Sequence, residues 1–241
     1  MKSVAIIVPA FNESQTISNT IRALADWTPP SGVKLTEIIV VDDGSSDNTN
    51  ELIQTAIIHH PQVICLKNSR NLGKGYSVTR GILHATADIV GFTDADLSYP
   101  PSLYDEFILP FLNGNIDVVV GSRRHPKHYG YRQYPFKRRA ATHFFQLFIR
   151  MLGLTTVSDS QCGLKFFTRD AANRVFSRTM CSGFSFDVEL LFLCRRYGFN
   201  VREIPVEMEE QRPSTIRLTS QVPRMLMDLL KIRFRHLKRK F

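Results

Sequence analysis

The sequence predicts an α/β fold in which a mostly parallel sheet is flanked by helices. Three observations carry that reading. Continuous apolar runs with many β-branched residues recur at Val4 to Val8, Glu37 to Val41, Val63 to Lys67 and Asp88 to Thr93. Segments with helical apolar spacing separate them. Each run ends in a polar loop, so four strand–helix units fill about the first hundred residues. Such units build a parallel sheet with right-handed crossovers and helices on both faces. Their loops then emerge along one edge, where open sheets of this class bind ligands.

The first unit runs from Val4-Ala5-Ile6-Ile7-Val8 through a turn at Pro9 to Ser14 into a helix over Thr16 to Trp27, with Ile17, Ile21 and Leu24 at helical spacing. Thr28-Pro29-Pro30-Ser31-Gly32 ends that helix. The second strand, Glu37 to Val41, ends in Asp42-Asp43-Gly44-Ser45-Ser46-Asp47; a helix follows from Asn48 to about Ile58, with Ser45 or Ser46 the better caps. The third strand, Val63 to Lys67, leads through the loop Asn68 to Lys74 into a helix opening at Gly75 and closing near Ala85. The fourth, Asp88 to Thr93, delivers Asp94-Ala95-Asp96 to the sheet edge. Side chains alternate with period two on an extended backbone, so Asp94 and Asp96 are expected on one side, able to converge on a hard divalent ion. Taken as a lone tripeptide, the same pattern fits a solvated acidic turn.

With 241 residues, 43% of them hydrophobic, the chain is long enough for a full core and is read as one domain. Cys65, Cys162, Cys181 and Cys194 form no Cys-x-x-Cys pair, and the N-terminus lacks a secretory pattern. A reducing cytosolic compartment without structural zinc is expected. His125 and His128 have no further ligand cluster nearby and read as loop histidines. No apolar run approaches the ~20 residues that cross a bilayer.

The net charge of +9 is concentrated in two places. Between Val118 and Ser158 there is no acidic residue, while Arg123, Arg124, Lys127, Arg132, Lys137, Arg138, Arg139 and Arg150 are basic. Lys231, Arg233, Arg235, Lys238, Arg239 and Lys240 crowd the C-terminus. The remaining chain is mildly acidic. Within the first basic run, Ala140 to Ile149 carries Phe144, Phe145, Leu147, Phe148 and Ile149, which suits a core helix, a membrane interface, or one face of each. From Gln221 onward, Met225, Leu226, Leu229, Leu230 and Ile232 precede the basic tail. That segment is expected as a basic amphipathic helix, resting on an anionic leaflet or packed on its own domain.

A dinucleotide-binding fold would place Gly-x-Gly-x-x-Gly after the first strand, where this chain has Pro9-Ala10-Phe11-Asn12-Glu13. Leu72-Gly73-Lys74-Gly75 lacks the spacing of a Walker A loop. A nucleic-acid-binding protein would leave the acidic pairs at strand ends without a purpose, so no nucleic acid is expected as partner. Instead the series IIVPAFNE, VVDDGSSD, RNLGKG, FTDADLS and VVGSR, spread from Ile6 to Arg123, resembles glycosyltransferase family 2, whose members have the GT-A nucleotide-sugar fold. Asp159-Ser160-Gln161-Cys162-Gly163-Leu164-Lys165 and Gly183 to Leu191 are similar to the branch that charges polyprenyl phosphates with glucose or mannose.

The resemblance implies a GT-A domain over 1–212 and leaves 213–241 as the basic C-terminal segment, part of the same domain or a membrane-surface appendage. It implies a UDP- or GDP-hexose donor held by Pro9, Ala10, Asn12, Glu13, Asp42 (with Asp43 as rival), Lys74, Asp94 and Gln161. Mg2+ or Mn2+ would sit on Asp94 and Asp96 and offset the charge on the departing diphosphate. A lipid phosphate, with a second pKa of about 6, is substantially dianionic at neutral pH and can attack unaided. It needs cations to hold it, and Arg123, with Arg138 and Thr142 at i and i+4, would supply them; Arg139 is the rival to Arg138. Related enzymes often carry a Ser-Lys pair where this chain has Ser214-Thr215, so Arg212 or Arg217 is expected to substitute. Asp159 would orient donor hydroxyls if the acceptor is a phosphate, and could serve as base if it is a hydroxyl. Asp96, Asp159 and Arg123 are thus the expected catalytic residues. Of Asp187 and Glu189, one is expected on the sugar and one in a structural role, and Cys162 as a packed small residue. The expected activity is inverting transfer of glucose or mannose to a polyprenyl (dolichyl or undecaprenyl) phosphate, by a protein peripheral on the cytoplasmic face of a membrane. Transfer to a saccharide or protein hydroxyl, and a donor-binding but inactive subunit, are the alternatives.

Overall fold

A computed structural model of the chain describes residues 1–123, 144, 146–183, 185–207 and 218–237, with backbone only for 218–225 and 237. Arg138, Thr142, Arg217 and the rivals Arg139, Arg212 and Thr215 lie outside the described residues, as do His125 and His128.

The strands are β1 (Lys2–Ala10), β2 (Val33–Asp42), β3 (Val63–Lys67), β4 (Ile89–Phe92), β5 (Val118–Ser122), β6 (Lys165–Thr168) and β7 (Val201–Pro205). They form one seven-stranded sheet in the order β3-β2-β1-β4-β6-β5-β7. β1 pairs in parallel with β2 and β4, β2 with β3, and β5 with β7. β6 alone runs antiparallel, between β4 and β5. The sheet is therefore mixed and mostly parallel, as expected. The elements are longer or shorter than the sequence alone suggests where pairing decides their ends: β2 begins at Val33 because the whole of β1 hydrogen-bonds alongside it.

Helices α1 (Ile17–Asp26), α2 (Thr49–His59), α3 (Lys74–His84) and α4 (Tyr104–Leu112) follow the first four strands, the last after a short 3-10 turn at Pro101–Leu103. Next come α5 (residues 146–151), α6 (Arg169–Phe176), α7 (Phe186–Tyr197) and α8 (Leu218–Leu237). Alternation along β1 and β2 sends Val4, Ile6, Val8, Ile38 and Val40 into one core with Ile17, Ile21, Leu24 and Phe107. Ala5, Ile7, Ile39 and Val41 enter the other, with Val78, Ile82, Val175, Phe186 and Leu190. Each buried aliphatic side chain contributes about 1.5–3 kcal/mol of transfer free energy, so both faces of the sheet are anchored.

Two local expectations are corrected. Neither Ser45 nor Ser46 caps α2: the carboxylate of Asp47 accepts from Thr49 N and Ser14 N, while Ser45 Oγ accepts from Asn12 N. α3 opens at Lys74, one residue early, because the backbone of another loop completes its first turn. A third buried cluster joins α8 to the domain through Leu229 and Ile232 against Ile149, Leu154, Val188 and Phe192.

Candidate active site

The parallel strands end at one edge, and the antiparallel β6 begins there. Its register sets Lys165 opposite Phe92, so the loop from Asp159 to Leu164 arrives beside the end of β4. Pro9, Ala10, Asn12, Glu13, Asp42, Asp94, Asp96, Arg123, Asp159 and Gln161 lie on loops or strand ends at this edge, and Lys74 opens α3 there.

At the end of β1 the chain is tied to the loop after β2. Asn12 takes a left-handed φ of 56° and its Oδ1 accepts from Ser46 N at 2.9 Å. Glu13 N donates to Thr49 Oγ1 at 2.8 Å, and Glu13 Oε2 accepts from Thr16 Oγ at 2.7 Å. The two adjacent aspartates of β2's end separate cleanly. Asp43 Oδ1 accepts from Asn68 Nδ2 at 2.7 Å and Leu72 N at 2.9 Å, and its Oδ2 accepts from Gly73 N at 2.8 Å, so it shapes the loop that carries Lys74. Asp42 Oδ1 accepts from Ser45 N at 2.9 Å, while its buried Oδ2 has no partner among the described residues. A buried acceptor without a donor is costly, and Asp42 is the aspartate with capacity left for a ligand's N–H.

Asp94 and Asp96 do not lie on extended backbone. β4 stops at Phe92 and the chain turns, with Leu97 N donating to Asp94 O at 3.2 Å and Leu97 at φ 49°. The turn, not strand periodicity, sets the two carboxylates. Asp94 Oδ1 pairs with the Lys74 ammonium. Asp96 Oδ1 accepts from Ser98 N and Oγ, at 3.1 and 2.8 Å. Burial pulls the Lys74 pKa down, but Asp94, Asp187 and Asp96 together push it above the ordinary lysine value. Lys74 therefore feels three carboxylates and stays charged.

The approach of Asp94 explains one glycine in Asp159 to Lys165. A Cβ on Gly163 would stand 2.1 Å from Asp94 Oδ2, so only glycine leaves the carboxylate where it is. Among the described residues no three metal-ligating side chains cluster. Two carboxylates suit a divalent ion that completes its shell with phosphate oxygens and water, as Mg2+ commonly does.

Arg123, just past β5, chelates Asp159: Nε to Oδ2 is 2.6 Å and Nη2 to Oδ1 is 2.9 Å, with Arg123 N also 3.2 Å from Oδ2. Burial would raise the Asp159 pKa, but the guanidinium charge and its hydrogen bonds hold the carboxyl below the usual carboxylate range. Gln161 meets Asp159 through its backbone N at 3.2 Å.

Lys165 was not among the expected site residues. Its ammonium is fully buried and donates to Asp187 Oδ1 at 2.5 Å and Cys162 O at 2.6 Å. Lysine is almost never fully buried unless paired, so a lysine opening the apolar strand Lys165-Phe166-Phe167 was the available signal. Burial raises the pKa of Asp187 and Lys165 and Lys74 lower it, for a net rise. Charges thus alternate from Asp94 through Lys74 and Asp187 to Lys165. Glu189, two residues along α7, turns away from this line to His236. Cys162 is buried against Gly121, whose Cβ would stand 2.6 Å from its sulfur, and all four cysteines are free.

Comparison with known proteins gives this edge a setting. The Glycosyl transferase family 2 profile matches residues 5–176. The chain is 32% identical over 235 residues to a dolichyl-phosphate beta-glucosyltransferase of Trichomonas vaginalis, covering 94% of this chain and 69% of that one. It is 31% identical to the enzyme of that name from Dictyostelium discoideum, covering 97% and 75%. Among solved structures it is similar in fold to glucosyl-3-phosphoglycerate synthase from Mycobacterium tuberculosis in complex with Mn2+, UDP and phosphoglyceric acid, with a TM-score of 0.68 at 18% identity, covering 100% of this chain and 80% of that one. With the matched profile spanning β1 to α6, the chain belongs to glycosyltransferase family 2 and is a glycosyltransferase of GT-A fold.

Proposed function

We propose that the protein transfers a hexose from a nucleotide-diphosphate sugar to a polyprenyl phosphate, with inversion at the anomeric carbon. Glucose and a dolichyl-type acceptor are the first choice, because relatives about 30% identical over most of the chain are dolichyl-phosphate beta-glucosyltransferases. The observation that carries the acceptor class is the Arg123–Asp159 chelate. A base that removes a hydroxyl proton works best with a pKa near the working pH. Asp159 is held well below that by the guanidinium. A dianionic phosphate needs no base at all, and an anion-binding arginine beside the sheet edge is what it does need.

In this reading the Asp42 carboxylate takes an N–H of the donor base, and Asn12 and Glu13 shape the loop around the ribose. Asp94 and Asp96 would hold Mg2+ or Mn2+, a reading supported by a fold neighbour crystallised with UDP and either ion. When bound, the ion stabilises charge building on the departing diphosphate. Lys74 adds its ammonium there, and Arg123 Nη1, the terminal nitrogen not engaged on Asp159, faces the acceptor. The acceptor oxygen forms the new bond to the anomeric carbon as the bond to the diphosphate breaks. The electron pair leaves with the nucleotide, no proton moves, and one displacement inverts the centre.

Membrane contact is supported by the outward side chains of α5 and α8, which pack together. Phe144, Leu147 and Met151 around α5, and Met227 and Phe234 on α8, are exposed. Arg150, Lys231 and Arg235 are exposed among them. No described helix is long and apolar enough to cross a membrane. A basic amphipathic surface resting on the cytoplasmic leaflet, gaining about 1 kcal/mol per lysine or arginine near anionic lipid, fits both facts. The deciding assay is purified protein with polyprenyl phosphate, a divalent ion and a panel of UDP- and GDP-sugars, read as lipid-linked sugar. Product with UDP-glucose is expected; transfer only to hydroxyl acceptors, or no turnover with any donor, overturns the reading.

A further inference from the structure

α3 begins without a side-chain cap. Gly73 precedes it with φ 99°, and the N–H groups of Gly75 and Tyr76 donate to Ser182 O at 2.7 and 3.3 Å. The first turn of the helix that carries Lys74 is thus completed by a carbonyl from a loop over a hundred residues away. The two backbones touch. A Cβ on Gly73 would lie 2.5 Å from Ser182 O, and one on Gly75 would lie 2.6 Å from Cys181 O.

That loop is itself held by one carboxylate. Glu189 Oε2, buried in the first turn of α7, accepts from Met180 N at 2.9 Å and Cys181 N at 2.7 Å. Its Oε1 is 2.8 Å from Nε2 of His236, buried on the inner face of α8 with its ring 5.7 Å from that of Phe192. Burial opposes ionisation of Glu189, but His236 and the two backbone donors win and hold it in the charged form. An ionised carboxylate only accepts, so His236 donates through Nε2.

We propose that Glu189 and His236 are positioning residues for the donor site: docking of α8 fixes Glu189, Glu189 fixes the loop at 180–183, and that loop fixes the start of α3 and with it Lys74. The inference rests on reading Lys74 as a donor-diphosphate contact. It extends that reading by making the C-terminal helix, beyond the part of the chain matched by the family profile, a component of nucleotide binding. The Glu189–His236 link is buried and the bonds of Glu189 to Met180 N and Cys181 N are part-buried, so loosening the first is passed along the backbone of 180–183 to the start of α3.

The experiment compares His236→Ala, His236→Gln and Ile232→Ala in the full chain. Ile232 is buried one turn earlier on α8, in the apolar cluster with Val188 and Phe192, and has no polar group to offer Glu189. Amide hydrogen exchange over 73–77 reads the linkage directly, and UDP affinity with Mn2+ by calorimetry reads its consequence. His236→Ala is expected to speed that exchange and to weaken UDP by about three- to tenfold, while His236→Gln, which keeps a donor, restores both. Ile232→Ala should lower the melting temperature and leave both readouts near wild type. Equal effects of Ile232→Ala and His236→Ala at matched loss of stability, or no effect of His236→Ala on exchange, overturns the proposal. Should His236→Ala not fold, Glu189→Gln carries the same expectation. Faster exchange in a protein whose wild type binds no UDP would support the linkage and refute the donor reading alone.

Discussion

Arg123 grips Asp159 through Nε and Nη2 at 2.6 and 2.9 Å, joining the end of β5 to the loop before β6. One link settles the character of both residues: the arginine is fixed in direction, and the aspartate is a weak base. Removing the aspartate's charge would leave a half-buried guanidinium without its counter-charge, which destabilises the fold.

Asp159→Asn is therefore expected to lower the melting temperature and to raise the acceptor KM by about tenfold or more, with UDP affinity little changed. Arg123→Lys should act in the same direction, since an ammonium does not reproduce the two-point contact. Steady-state kinetics with donor and acceptor varied separately separates the two effects; a loss confined to donor binding would contradict the assignment.

The pH profile follows from the same pair. Asp159 stays ionised far below neutrality, so no enzyme base should set the acid limb. The rate should instead rise with pH through about 6, as the acceptor phosphate passes from monoanion to dianion. A lipid phosphonate with a higher second pKa should shift that limb upward by the difference. A limb that stays in place belongs to the enzyme, and the mechanism would need a base.

At the other carboxylates, Asp94→Ala and Asp96→Ala are expected to abolish metal-dependent turnover, by about a hundredfold or more, without unfolding the chain. Full activity in both variants would remove the metal from this site.

Lys74→Met separates two roles of one cation. In the structure Lys74 pairs with Asp94, so its removal frees the carboxylate and should strengthen Mn2+ binding in the absence of nucleotide. The same change removes positive charge from the diphosphate and should weaken UDP. Calorimetry with each alone tests the opposite signs, and two losses would mean that Lys74 merely supports the loop.

Asp47 offers a check on the fold. Burial works against its ionisation, yet the bonds from Thr49 and Ser14 bring its pKa down to about 2 from 3.8. A depressed carboxyl adds stability that is present above its unfolded pKa and lost as pH falls through the folded one. Asp47→Ala removes the acceptor of two backbone N–H groups and should cost about 1 kcal/mol at pH 7, and the difference should fade between about pH 4 and pH 2. Denaturant midpoints at these pH values measure it.

Much of this was written locally. Val4 to Val8, Glu37 to Val41 and Val63 to Lys67 are apolar and β-branched, and each lies inside a strand of the sheet. The polar loops after them could be placed at one edge because parallel strands joined by helices leave no other arrangement. The boundary errors at Lys74 and in the capping of α2 arose where the partner came from elsewhere, Ser182 O in one case and a competing serine contact in the other.

The sequence by itself determined the class of fold, the ligand-binding edge and the carboxylates delivered to it, since burial and periodicity are properties of neighbouring residues. Tertiary structure alone decided which charge meets which. It turned β6 antiparallel between β4 and β5, gave Arg123 to Asp159, Lys165 to Asp187 and His236 to Glu189, and left Asp42 rather than Asp43 with an acceptor to spare. Those partners are 36, 22 and 47 residues apart. No local pattern encodes such a choice, because a buried charge is stabilised by whichever opposite charge the strand order brings within reach.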